Sequence, residues 1–179
     1  MLDLDTLSIV LTGIGLIIAL TYYGLQIRNQ NRTRQAQLFM NLYETYRNTE
    51  FKNMYTEILF HHEWKDFEDW WSKYGPIANK EAFSEWNSVA GYFNGIGILV
   101  KKKLIDMSMV DELLANTIIT LWEKMGPNIK EGRLSRIESI ESLPPLHSNF
   151  EYLYHELIKY RKQHPEIKTH PHTLFLTST

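Results

Sequence analysis

The chain has 179 residues, 44% hydrophobic and 22% charged, the mix of one folded domain rather than a disordered chain. Its 19 basic and 21 acidic residues leave a formal charge of −2, without the basicity that a nucleic-acid-binding domain carries. Cysteine is absent, which excludes disulfide scaffolds, cysteine-ligated metal centres and thiol catalysis.

The mean hydropathy of −0.32 hides an uneven distribution. Thr6 to Ile27 is a run of 22 residues without a charge, long enough at about 1.5 Å per residue to cross the roughly 30 Å hydrocarbon core of a bilayer. A cleaved secretory signal would place positive charge before such a run and small residues after it. Here Asp3 and Asp5 precede it and Tyr22, Tyr23 and Gly24 close it. The expectation is a transmembrane anchor over residues 1–27. Arg28, Arg32 and Arg34 follow at once, so the positive-inside rule puts the N-terminus outside the cell membrane and the remaining chain in the cytoplasm. Tyr22 and Tyr23 sit where an interfacial aromatic belt belongs, against membrane lipid. Ser8, Thr12, Gly15 and Ala19 recur at spacings of four, three and four, a small-residue face of the kind through which membrane helices associate.

Beyond the span the pattern predicts helices only, with no sustained alternation and no hairpin dipeptide. No Gly or Pro interrupts the exit from the span, so the helix is expected to run on to about Phe60, with Asn48 and Thr49 the place where it bends or is recapped. Residues 63–75 read as a short helix carrying Trp64, Phe67, Trp70 and Trp71, ended by Gly75-Pro76. Asn79 is a plausible N-cap for the next helix, whose Phe83, Trp86, Ala90, Phe93 and Gly97 share a face. Gly91, Gly95 and Gly97 would each weaken it by about 1 kcal/mol in isolation and so predict close approach of a neighbouring helix. Lys101, Lys102 and Lys103 end it, favouring its negative pole and, if turned to a bilayer, anionic head groups. Ser108, with Asp111 three positions on, reads as the cap of a helix that Gly126-Pro127 is expected to stop. Pro144-Pro145 breaks the chain again, and a last helix runs from about Asn149 to Gln163. The expectation is an all-α fold: the anchor continues into a cytoplasmic bundle of about four or five helices over residues 28–163, with an extended tail over 164–179.

The stretches Gln35 to Phe51 and Asn87 to Leu114, with Gly97 and Ile105-Asp106 at the centre of the second, resemble a family of membrane-anchored helical proteins, the domain of unknown function DUF4760. The resemblance covers roughly a quarter of the chain and implies architecture alone; it brings no activity, cofactor or site residue.

Chemistry is sparse. Glu57 and His61, and again Glu151 and His155, are four apart, so each pair shares a helix face, and carboxylate–imidazole pairs on facing helices can hold metals in bundles. The usual Glu-x-x-His bundle signature is absent, as are a phosphate loop, a nucleophile elbow and a His-Glu-x-x-His motif. Trp70-Trp71 beside Glu68 and Asp69 allows one ring to face the core while the other faces outward, which with Trp64 makes this segment a candidate partner contact; the alternative is that both rings pack over the bundle as a lid. These features together point to a non-enzymatic single-pass membrane protein without a cofactor, acting in assembly as a homo-oligomer or an accessory subunit of a membrane complex. A metal-binding enzyme or sensor using Glu57, His61, Glu151 and His155 is the alternative. A pore formed by an oligomer of the span ranks last, because only Ser8, Thr12 and Thr21 would give it a polar lining.

Overall fold

The computed structural model describes residues 3–137 and 145–165. The class is all-α, as expected, with six helices among the described residues: α1 (Leu4–Arg47), α2 (Thr49–Phe60), α3 (Phe67–Tyr74), α4 (Lys80–Lys101), α5 (Met107–Ile137) and α6 (Ser148–Gln163). The chain divides into two compact units, one ending at Asn41 and one beginning at Leu42. The first consists of α1 up to that point. The second is a bundle made from the end of α1 and from α2 to α6.

Local chemistry sets the helix limits. Asn48 separates α1 from α2 and recaps the chain, its side chain accepting a hydrogen bond of 2.8 Å from the Glu50 N–H. Asp66 caps α3 through the Asp69 N–H at 2.9 Å, and Asn79 caps α4 through the Ala82 N–H at 3.1 Å. At α5 the cap is Asp106, two residues earlier than the expected Ser108: its Oδ1 accepts from both the Ser108 N–H and the Ser108 hydroxyl. α4 ends in a Schellman motif, with the Leu104 N–H on the Leu99 carbonyl and the Lys103 N–H on that of Val100. Lys103 takes the left-handed conformation there, φ 57°, that such an ending requires.

Gly126-Pro127 does not stop α5, which continues ten residues past Pro127 to Ile137. Two features explain the difference. Proline disfavours a helical predecessor largely by striking its Cβ, and Gly126 has none. Pro127 itself lies on the exposed side, so the carbonyl four residues back that it leaves without a donor faces outward, while Met125, Gly126, Asn128 and Ile129 are buried around it. The Pro144-Pro145 break and the tail fall mainly on residues 138–144 and 166–179, outside the described residues.

The core follows the predicted periodicity. Trp86, Ala90, Phe93 and Gly97 of α4 are buried, as are Val110, Leu114, Ile118, Leu121 and Met125 of α5 and Phe150, Leu153 and Leu157 of α6. Each fully buried aliphatic or phenyl side chain contributes about 1.5–3 kcal/mol relative to exposure. Phe93 and Phe150 stack with ring centroids 5.3 Å apart, and Trp122 meets Phe150 edge-on at 5.0 Å. Polar ties add register. The Tyr92 hydroxyl donates to the Leu42 carbonyl at 2.6 Å, Tyr46 and Thr117 share a hydrogen bond of 2.8 Å, and the buried Asp111 of α5 pairs with Arg161 of α6.

α4 and α6 form the closest seam. A Cβ built on Gly97 would fall onto the Asn149 carbonyl oxygen and come within 2.6 Å of its carbon. The expectation of close approach therefore holds at Gly97 alone, since a Cβ on Gly91 or Gly95 meets nothing within 4 Å. The same seam caps α6. Its flanking residue His147 offers no side-chain bond, but Asn94 Oδ1 accepts from the Asn149 N–H at 3.0 Å. The Ser148, Phe150 and Glu151 N–H groups bond to the carbonyls of Pro145 and His147, so the four amides of the first turn all have acceptors.

Replacing Gly97 by Ala is expected to destabilise the bundle by about 1–3 kcal/mol through overpacking against α6. Replacing Gly91 or Gly95 by Ala is expected to raise stability by up to about 1 kcal/mol, since the added methyl meets open space in a helix. Thermal unfolding followed by circular dichroism distinguishes the two outcomes.

Candidate functional site

Two surfaces are candidates, one in each unit, and neither is a catalytic constellation. In the first unit the apolar run of α1 is long and hydrophobic enough to cross a membrane, and its most apolar stretch has no buried residue among the described ones. Ser8, Thr12 and Gly15 are exposed and Ala19 is half-buried; a Cβ added at Gly15 would meet nothing within 4 Å. The Thr12 and Thr21 hydroxyls donate to the carbonyls four residues back, Ser8 and Ile17, both at 2.8 Å, so these polar groups are satisfied within the helix. Tyr22 and Tyr23 pack edge-on at 6.1 Å, and Arg28, Arg32 and Arg34 are exposed on the following turns.

In the second unit α3, α4 and α5 enclose an aromatic cleft of about 590 Å³. One wall is Phe67, Trp70 and Trp71 of α3, the opposite wall Phe83, Trp86 and Asn87 of α4, and Asn128, Ile129 and Gly132 of α5 form the floor. The Trp70-Trp71 pair divides: Trp70 is 4% exposed and packs 4.6 Å from Trp86, whereas Trp71 is 46% exposed. Trp64, the other tryptophan of the segment, is half-buried, edge-on to Trp86 at 5.4 Å and 5.0 Å below the Lys124 ammonium. Two donors at the cleft lack acceptors among the described residues: the indole Nε1 of Trp70 and the amide Nδ2 of Asn128, whose residue is 6% exposed. Each such buried unpaired donor costs about 1–3 kcal/mol. The sequence signalled the tryptophans, but Asn128 lies beyond the expected helix stop and was not legible as a site residue.

The metal-ligand pairs do not converge. No group of three or more His, Asp or Glu side chains that could hold a metal occurs among the described residues. Glu57 and His61 are exposed at the end of α2. Glu151 and His155 do share a face, 3.9 Å apart, but Glu151 is already engaged by Arg133 and, at 3.1 Å, by Lys130. Burial works to raise the Glu151 carboxyl, and the hydrogen bonds from Arg133 and Lys130 outweigh it and hold the group below its ordinary value. His62, next in the chain to His61, is buried and stacked on Tyr74 at 4.2 Å. The cation at the end of α2 is Lys124, which donates to the Leu59 carbonyl at 2.7 Å.

The family described as "Domain of unknown function (DUF4760)" matches residues 9–157, and the chain belongs to it. No curated protein and no solved structure matches the chain.

The joint between α5 and α6 carries a titratable group with a direct consequence. His147 sits in the left-handed region, φ 50°, beside Arg133, whose Nε donates to the Leu146 carbonyl at 2.7 Å. Burial, reinforced by the Arg133 charge, lowers the His147 imidazole to about 4. A folded-state value below the unfolded one means that the unfolded chain binds the proton first. Stability is therefore complete above about pH 6.5 and falls as the pH drops toward 4, a window in which His62, lowered mainly by its burial, acts in the same sense. His147→Asn keeps a residue that tolerates the left-handed region. It is expected to flatten part of this acid loss, measured as the difference in Tm between pH 7.5 and pH 4.5 relative to the parent chain.

Proposed function

We propose that this DUF4760 member is a non-catalytic, single-pass membrane protein that acts in assembly, as a homo-oligomer or as an accessory subunit of a larger membrane complex. The observation that supports the reading is the apolar stretch of α1, long and hydrophobic enough to cross a membrane and without a buried residue among the described ones. In water such a surface is costly at roughly 25 cal/mol per Å², so it calls for lipid or other helices around it. The small-residue face of Ser8, Thr12, Gly15 and Ala19 supports a helix partner, because between lipid-immersed helices close backbone approach replaces the hydrophobic drive. The acidic residues before the run and Arg28, Arg32 and Arg34 after it support a topology with the N-terminus outside and the bundle in the cytoplasm of a cell membrane.

Two measurements test this. The chain has no cysteine, so single cysteines report topology without background. With Leu4→Cys and Ile77→Cys, the latter at a residue 99% exposed, a membrane-impermeant maleimide applied to intact cells is expected to label the first and spare the second. The opposite pattern refutes the orientation. For assembly, light scattering of detergent-solubilised protein is expected to give a mass above one chain or a copurifying partner, and Gly15→Leu with Ala19→Leu is expected to abolish it. A parent protein that is monomeric and alone refutes the proposal, and an unchanged mass in the double variant removes the span from the interface.

A further inference from the structure

We propose that the length of α1 over residues 22–36 pairs with the same segment of a second copy of this chain as a parallel two-stranded coiled coil. The inference rests on the membrane-anchor reading above, because a shared topology makes the two helices parallel. Tyr22, Gln26, Asn29, Thr33 and Ala36 recur at spacings of four, three, four and three, the alternation of the inward positions of a coiled coil. All five are exposed, and so is every other residue from Leu20 to Arg34. The spacing continues that of Ser8, Thr12, Gly15 and Ala19 without a break in phase. The surface has the matching relief. A shallow groove on α1 takes in Tyr22, Leu25, Gln26 and Asn29, then repeats the pattern one layer on with Gln26, Asn29, Gln30 and Thr33. These are the two four-residue holes that receive Gln26 and Asn29 of the second copy in parallel, in-register packing.

Chemistry selects the occupant. A carboxamide donates and accepts at once, so Gln26 and Asn29 are complemented by the same residues of a second copy at the same height. The charges stand aside. Arg28 and Arg34 lie outside the contact, and Arg32, at its edge, meets the uncharged Gln37 of the second copy. An acidic partner would be drawn to the arginines, and none of them lies on the inward stripe. The helix also lacks support of its own here. No acidic residue occurs between Asp5 and Glu44, so no ion pair between successive turns steadies this exposed length. The Thr33 hydroxyl donates to the Asn29 carbonyl at 3.1 Å, a bond within the same helix. A polar seam is weak between free helices, but two spans in one membrane hold the strands at high effective concentration.

The test uses the full chain in native membranes, where the absence of cysteine lets single substitutions report contact. Under copper-phenanthroline oxidation, Gln26→Cys, Asn29→Cys, Thr33→Cys and Ala36→Cys are each expected to form disulfide-linked dimers. Linkage there is expected to run at least about fivefold faster than for Ile27→Cys, Asn31→Cys and Arg34→Cys on the other faces. Ile77→Cys, at a residue 99% exposed, sets the rate of random collision. Adding Asn29→Lys to Thr33→Cys sets like charges face to face and is expected to cut that linkage at least about fivefold. Asn31→Lys, off the stripe, is expected to leave it intact. Equal linkage at every position, or a maximum off the stripe, overturns the proposal. If no position links, a light-scattering mass above one chain overturns this pairing and leaves assembly through the span standing, whereas a monomeric protein without a partner overturns both. Adducts to a different protein at the stripe positions also overturn it, in favour of an accessory-subunit role.

Discussion

The meeting of α4 and α6 at Gly97 is the constraint on which the bundle rests. Two helix backbones touch there with no side chain between them, and a hydrogen at one Cα is all that the space admits. That distance is what lets Asn94 reach across and accept the Asn149 N–H, so that one helix caps the other without help from the residue before it. It also brings Phe93 and Phe150 into stacking range and aligns Asp111 of α5 with Arg161 of α6. The ion pair is nearly enclosed, and either partner alone would leave a buried charge costing about 3–5 kcal/mol. Register along α6 is thus fixed at both ends, by an amide near its start and a guanidinium near its finish.

The sequence disclosed what depends on periodicity and local capping. Spacing identified the apolar faces of α4, α5 and α6, and the side chains of Asn48 and Asn79 act as caps because an Asn oxygen reaches an amide two or three positions on in any fold. What the sequence withheld depends on neighbours. Gly126-Pro127 carries the ordinary stop signal, and only burial on either side of Pro127 reveals that the helix continues. Gly91, Gly95 and Gly97 look alike in sequence, and only the position of Asn149 singles out Gly97. His62 follows His61 without distinction, yet the stacking of Tyr74 buries it. The two pairs of Glu and His were legible as helix faces, but spacing within a helix cannot say which faces meet, and Glu151 is claimed by Arg133 and Lys130.

Polar satisfaction is close to complete along the described backbone ends and in the seam, which gives the exceptions meaning. Five buried side-chain nitrogens lack a partner among the described residues: Trp70 Nε1 and Asn128 Nδ2 beside the aromatic cleft, His62 Nδ1 on the residue stacked on Tyr74, and an Arg133 Nη and His147 Nε2 next to each other near the start of α6. Trp70 and Trp71, adjacent in sequence, take opposite duties on a helix of eight residues: one fills the interior and the other forms an exposed edge of the cleft. Asp66 at the start of that helix and the Asp69–Lys73 pair along it, 2.9 Å apart, fix its geometry, so the two rings are held by a short element that is itself firmly tied.

Pro127 has a mechanical meaning. A helix missing one rung of its hydrogen-bond ladder bends more easily at that turn than elsewhere. Everything that α5 gives to the floor of the cleft, Asn128, Ile129 and Gly132, lies immediately beyond this turn, and so do Lys130 and Arg133, which hold α6 through Glu151. The same compliant turn therefore acts as a flexure between the rigid first half of α5 and a lever that carries the cleft floor at one side and the α6 anchor at the other. Any tilt of that lever alters the width of the cleft and the grip on α6 together, which makes the two mechanically interdependent.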